Sequence, residues 1–292
     1  MHSYLRAIGF DNLHTGKDLR DLLADVFHEF SERSVAKEEK NKAFVEYTKS
    51  FGDNMGIKMC GTMDTEGFHQ EYYFPYFKGK NISSHEDLIV EKHAAKESFA
   101  GVCEDMRMGV SIIFYVQNAA KYKKETILNH LLNDKISTTF SGLSLQGKIL
   151  LPVMKNDDCM TGSSEAANRR SKMIAAARQG DAEAIESLTL EDIDTYSVIN
   201  RRILKEDLFS IIDTLFMPYG MECDHYQIIG NIRSVEKKVN TYTKQKIYQL
   251  NLECNDMNLD VCINEKDLLG EPEVGRRFKG VIWLQGHINF PD

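Results

Sequence analysis

The sequence predicts an α+β protein: an N-terminal antiparallel sheet with packed helices, an acidic helical connector, and a small OB-like or SH3-like β-barrel at the C-terminal end. Three observations carry this expectation. Residues 226–290 alternate apolar and polar side chains strand by strand, the period of sheets with one wet face. Residues 19–30 place apolar side chains at three- and four-residue steps, the period of an amphipathic helix. Residues 156–225 hold 7 basic and 14 acidic groups, so most of the net charge of −8 falls on one middle segment. The expected divisions are 1–155, 156–222 and 223–292, since 292 residues exceed what one ordinary core serves.

The first helix rests on Leu19, Leu22, Leu23, Val26, Phe27 and Phe30, with Thr15 and Asp18 spaced as a capping box. Strand-like stretches follow at Phe44–Phe51, Gly56–Thr62, Phe68–Phe77, Leu88–His93, Val102–Arg107, Val110–Gln117 and Leu143–Val153. Breaks at Gly52-Asp53, Asp64–Gly67 and Met108-Gly109 read as turns between antiparallel neighbours. Tyr122, Ile127, Leu128, Leu131 and Leu132 suggest a second helix from Asn118 to Leu132.

In the middle segment, Ser164, Asp181 and the pair Thr189/Asp192 have the spacing of helix caps, and Arg178–Asp181 reads as a helix stop followed by a new start. Leu208, Ile211, Ile212, Leu215 and Phe216 give a further stripe ending at Pro218-Tyr219-Gly220, which is taken as helix, although a short apolar run can also be extended. Four C-terminal strands are then legible. Tyr226, Ile228 and Ile232 share a face, as do Tyr248, Leu250, Leu252 and Cys254. Leu259, Val261 and Ile263 follow a turn at Asn255–Asn258, and Phe278, Ile282, Leu284, Ile288 and Phe290 line the last strand. Gly230, Gly280 and Gly286 fall on the inward parity, where a missing side chain lets a strand bend. An OB barrel needs five strands, so one strand must bend to serve twice or the OB label does not hold.

Composition excludes several classes. With 42% hydrophobic and 27% charged residues, the chain is neither disordered nor a disulfide scaffold. Its apolar run from Val110 to Val116 is too short to cross a bilayer, and Met1–Arg6 lacks the layout of a secretory signal. A cytoplasmic protein is expected, with no membrane association and six reduced cysteines at irregular spacings. Residues 1–155 carry 20 basic and 21 acidic groups, and residues 226–292 carry nine of each, so no segment has the net basic charge of a nucleic-acid binder.

No motif names a chemistry. Gly142-Leu-Ser-Leu-Gln-Gly147-Lys148 nearly spells a P-loop, but Ile149 stands where the magnesium-binding hydroxyl belongs, and a strand follows instead of a helix. Glu222, Cys223, Asp224 and His225 form the densest set of reactive side chains. They can be read as a Cys–His pair with an orienting carboxylate, or as an interdomain turn, and the turn carries more weight. In an extended segment Cys223 and His225 would share one side and Glu222 and Asp224 the other. Tyr72 and Tyr76 can line a ligand pocket or a sheet core. Trp283 and His287, on the outward parity, offer a stacking face near Lys237, Lys238, Lys244, Lys246, Arg276, Arg277 and Lys279, although an outward Trp beside charges is as readily a contact against the N-terminal domain or another subunit. His69, Glu71, His85, Glu86 and His93 lack any standard ligand spacing, so neither a metal nor another cofactor is expected.

The opening Met1-His2-Ser3-Tyr4-Leu5-Arg6-Ala7-Ile8-Gly9-Phe10, the phrase Phe216-Met217-Pro218-Tyr219-Gly220-Met221-Glu222-Cys223-Asp224, and Gly280-Val281-Ile282-Trp283-Leu284-Gln285-Gly286 together resemble a full-length bacterial family of unknown function, of the type found in gut anaerobes. The resemblance implies a cytoplasmic protein and transfers no catalytic residue. The leading functional expectation is a non-catalytic binding or adaptor protein with a protein partner, a second copy of itself, or an unspecified small molecule as its ligand. The alternative is an enzyme at the domain junction using Cys223, His225 and a nearby carboxylate. A third reading is single-stranded nucleic-acid binding by the barrel.

Overall fold

A computed structural model describes residues 2–13, 15–39, 41–92, 98–127, 136–153 and 212–291, together with 169, 172–174, 176–177 and 180–190. It is a mixed α+β protein, mostly strands. After a 3-10 helix at Ser3–Ile8 comes α1 (Gly16–His28). Strands β1 (Glu32–Glu39), β2 (Lys42–Gly52), β3 (Met55–Met63) and β4 (Phe68–Phe77) follow as a four-stranded antiparallel sheet in chain order. Next come β5 (Leu88–Lys92), β6 (Phe99–Cys103), β7 (Ile112–Val116), α2 (Ala119–Ile127) and β8 (Ser137–Leu150). The C-terminal region supplies β9 (Leu215–Pro218), β10 (His225–Val239), β11 (Lys246–Cys254), β12 (Met257–Asn264), β13 (Leu268–Leu269) and β14 (Arg277–Asn289).

The capping box at α1 forms as its spacing requires. The Asp18 amide donates to Thr15 Oγ1 at 3.2 Å, and the Thr15 amide donates to Asp18 Oδ2 at 2.9 Å. Leu22, Leu23 and Val26 bury the apolar stripe, and Phe27 meets Tyr47 edge-on and stacks on Phe68. β1 is absent from the sequence expectation because six of its eight residues are charged or polar. It is an edge strand, and charge on an edge discourages pairing with other chains.

The second sheet runs β13-β8-β12-β11-β10-β14-β7-β6-β5, with β9 beside β10. β8 pairs in parallel with β12, Ser141 opposite Asp260 and Ser144 opposite Ile263, and also pairs with β14. The run β8-β12-β11-β10-β14 is thereby joined at both ends by pairings. Residues 1–155 and 223–292, expected as separate domains, contribute strands to this one sheet. β8 occupies the outer edge of β12, which the four C-terminal strands leave open. The chain divides instead into residues 1–149 with 214–292 as one compact unit and residues 150–213 as another.

Glycines on inward parity make room for rings. A Cβ on Gly286 or Gly101 would lie 2.3 or 2.2 Å from the Phe114 ring, so the strands carrying them close over that side chain. The β11–β12 hairpin turns on Asn255 and Asp256, both at positive φ (49° and 61°), the backbone of a tight two-residue turn.

Leu215 and Phe216, placed by their spacing in a helix, are in strand β9, opposite Ile229 and Ile228. Pairing along β10 overrides the weak helical period of a short apolar run. In the 150–213 unit, Asp181 caps the helix at 182–190, its Oδ1 accepting from the Glu183 and Ala184 amides. Thr189, expected as a cap, lies inside that helix and donates its hydroxyl to the Ile185 carbonyl. The expectations at Ser164, Asp192, Leu208 and Ile211, and at Leu128, Leu131 and Leu132, lie outside the described residues. Among the described residues no helix is long and apolar enough to cross a membrane.

Candidate functional site

Strand β9, the turn after it and the start of β10 bring the reactive set at 222–225 against β14. The register places His225 opposite Trp283, and the Leu284 amide donates to the Asp224 carbonyl at 2.8 Å. The segment before His225 is a turn, not an extended strand: the His225 amide donates to the Glu222 carbonyl at 3.3 Å, and the Tyr219 amide donates to the His225 carbonyl at 2.9 Å. The expected split, with Cys223 and His225 on one side and Glu222 and Asp224 on the other, therefore does not form. Asp224 turns back onto its neighbour.

Asp224 is the centre of the arrangement. Its Oδ1 lies 3.0 Å from His225 Nδ1, and its Oδ2 accepts the Trp283 indole N–H at 2.7 Å. Burial pushes its carboxyl up, but the hydrogen bonds from His225 and Trp283 outweigh burial and hold it below its ordinary value. Trp283, expected on an outward binding face, is only 4% exposed. Its ring is packed by His2 at 4.7 Å, Tyr115 at 5.1 Å and Tyr4 at 5.4 Å, and Tyr4 in turn lies 5.6 Å from His225. Burial, with Asp224 and Glu222 nearby, pushes the Tyr4 phenol up to about 12. β7 and the N-terminal 3-10 helix supply this aromatic cover, so Trp283 is the contact with N-terminal residues that its outward position also allowed, and the particular rings are set by tertiary packing.

Cys223 is exposed, and burial together with Asp224 and Glu222 raises its thiol pKa. Nucleophilic cysteines have the opposite environment, with nearby positive charge that favours the thiolate. The structure thus brings Asp224 and His225 together and leaves Cys223 unactivated.

The remaining candidates disperse. His287 is largely buried; burial, with Lys78, Lys58 and Lys121 nearby, lowers its pKa to about 3, so it is neutral. Tyr72 stacks between Phe44 and Phe74 and lies opposite Cys60, and Tyr76 is buried under the Lys58 ammonium. Tyr76 belongs to the core, and Tyr72 packs against it. His69 pairs with Asp64 at 3.2 Å and Glu71 accepts from Thr62, while His93 lies outside the described residues. Among the described residues no three His, Cys, Asp or Glu side chains converge as a metal site.

Lysines named for a nucleic-acid face are engaged elsewhere. Lys237 pairs with Glu265, Lys238 with Asp53 and Glu236, and Lys246 approaches Glu265 at 4.0 Å. Lys244 donates to the Thr241 carbonyl, and Arg276 pairs with Glu273. Arg277 is buried.

Sequence reasoning did not single out Tyr4, His2, Tyr115 or the buried carboxyl of Glu46. Only the strand alternation around Glu46 held a signal, since Phe44, Glu46 and Thr48 share a parity that puts an acid on an inward face.

The chain belongs to the family described as a domain of unknown function, E. rectale gene description (DUF3881), whose model matches residues 5–286. The resemblance of its three phrases to a full-length family of the gut-anaerobe type is thereby shown. No curated protein and no solved structure matches the chain.

Proposed function

We propose that this protein is a non-catalytic binding or adaptor protein that meets a protein partner through β9 and the turn after it. One observation carries the reading. Met217, Tyr219 and Met221 are 50%, 49% and 102% exposed, at alternate positions in a segment anchored by Asp224 to Trp283. Clustered exposed apolar side chains mark contact surfaces, and methionine adapts its shape to the surface it meets. Pro218 has no N–H and so blunts the strand edge as a pairing template, which favours recognition through side chains over strand addition. Glu222, also exposed, suits a partner whose apolar patch is rimmed by basic groups.

The joined run β8-β12-β11-β10-β14 is read as a small OB-like barrel whose fifth strand comes from before the acidic segment. In this reading the barrel is a platform for the β9 strip, and its paired lysines leave it unsuited to nucleic acid. Free cysteines, with Cys223 open to solvent, suit the reducing cytoplasm.

The test is site-specific photocrosslinking in cells with a photoreactive residue at 217, 219 or 221 and, as a control, at the exposed Ile89. A discrete adduct confined to the first three positions, identified by mass spectrometry and lost on Glu222→Lys, supports a basic-rimmed partner. Adducts equal at Ile89, or none at all, contradict the reading, and an adduct with this chain itself identifies the partner as a second copy.

A second reading has one observation in its favour. Asp224 holds His225 through Nδ1, and Trp283 fixes Asp224, the way a general base is oriented. Turnover lost in His225→Gln but kept in Cys223→Ser would favour it.

A further inference from the structure

The four-stranded sheet carries an acid on its inward face that neither functional reading uses. Across that sheet Ser34, Glu46, Cys60 and Tyr72 stand in one row, from β1 to β4. Glu46 is 2% exposed. Its Oε2 lies 3.8 Å from Lys58 Nζ, and its carboxyl faces the Ala119 and Ala120 amides in the first turn of α2. Its Oε1 is buried with no hydrogen-bond partner. The surrounding groups come from every neighbouring element: Glu32 on β1, Lys58 and Cys60 on β3, Tyr72 on β4, Tyr115 on β7, and on α2 Lys123, whose ammonium sits 4.4 Å from the Phe44 ring centroid.

Two tendencies oppose each other here. The α2 amides and Lys58 favour a carboxylate, because helix N-termini and ammonium groups attract negative charge. Full burial with one unpaired oxygen favours the neutral acid, because an unsatisfied buried charge is costlier than an unsatisfied neutral group. We propose that Glu46 is a proton-dependent brace of the four-stranded sheet beneath α2: its protonated carboxyl suits the dry interior, and ionising it destabilises the fold even though the α2 amides and Lys58 then hold it more tightly. Burial is the larger influence and raises the Glu46 pKa, with Lys58 and the two amides opposing it and Glu32 adding to it. A folded-state value above the unfolded one means that the contribution is full below the ordinary Glu range, about 4.3, and is lost as pH rises through the folded value.

The test compares wild type with Glu46→Gln, which has the shape of the protonated acid, and with Lys58→Gln. Urea unfolding from pH 4 to pH 9 is paired with hydrogen exchange at the Ala119 and Ala120 amides, corrected for intrinsic rates. The wild-type folding constant is expected to fall relative to Glu46→Gln by up to about tenfold per pH unit between the ordinary and raised values, then level off. Exchange of the α2 amides through global unfolding should quicken over the same range in wild type only. Lys58→Gln, which removes a group favouring the ion, should carry the loss to higher pH. A Glu46→Gln deficit that is constant with pH, or that grows as pH rises, overturns the proposal. So does failure of Glu46→Gln to fold at pH 5.

Discussion

Trp283 donates its indole N–H to Asp224 Oδ2 at 2.7 Å, while the other oxygen of that carboxyl lies 3.0 Å from His225 Nδ1. One carboxylate therefore ties the start of β10 to β14 and positions the turn that presents Met217, Tyr219 and Met221. A hydrogen bond to a charged, largely buried acceptor contributes about 1.5–3 kcal/mol. Trp283→Phe should lower unfolding stability by at least that amount, since packing against Tyr4 and Tyr115 is also disturbed. Chemical denaturation measures it, and an unchanged midpoint would contradict the assigned role.

The same carboxyl makes stability acid-sensitive. Its folded-state pKa is depressed below the ordinary value of 3.8. Its contribution is thus fully present above that value and is lost as pH falls through the lower folded one. Asp224→Asn should be less stable than wild type at neutral pH, and the difference should shrink as pH falls from 5 to 2. Parallel curves would show that Asp224 is not the titrating group.

Phe114 fills the space left by two glycines on separate strands, Gly101 and Gly286. Gly286→Ala would place a methyl carbon 2.3 Å from the ring and should cost about 1–3 kcal/mol by overpacking. Gly67, with nothing within 4 Å of an added Cβ, is a poor control because its φ of +131° strains any substitution. The better comparison is the double variant Gly286→Ala/Phe114→Leu, which should recover part of the loss in a urea titration.

Thiol chemistry separates Cys223 from the other described cysteines. Cys60, Cys103, Cys254 and Cys262 are buried, whereas Cys223 is exposed with a raised pKa. In a Cys159→Ser background, native protein should alkylate at one site, at a rate that continues to climb above the ordinary thiol pKa. The other four should react only after denaturation. Fast labelling of Cys223 at pH 7 would revive the nucleophile reading.

What the sequence made legible was local. Alternation in β10 and β11 reflects one wetter and one dry face, whereas β12 and much of β14 are buried on both faces and their polar positions are covered by other elements; the Thr15/Asp18 box needs only its own four residues. Charge-rich β1 and the brief β9 were hidden because an edge position or a partner strand decides their state. β8 was expected at Leu143–Val153 but begins at Ser137. Its Ser-Thr-Thr start reads as a loop, yet those residues are buried, with Thr138 bridged to Ser84 and the Asn289 amide donating to the Ser137 and Thr139 hydroxyls, all partners distant in sequence. Local periodicity cannot encode that pairing. At the site, Asp224 and His225 were legible by density of reactive groups. Their tie to Trp283 and the cover from Tyr4 arise only from tertiary packing.

The account turns on β8 lying among the C-terminal strands, and amide NOE spectroscopy of the deuterated full-length protein tests this most directly. Cross-strand contacts linking residues 141–144 with 260–263, in parallel register, and linking Ser144 with Val281 are the predicted result. Strands 225–289 contacting only one another, with 137–150 contacting only residues before 130, would contradict it.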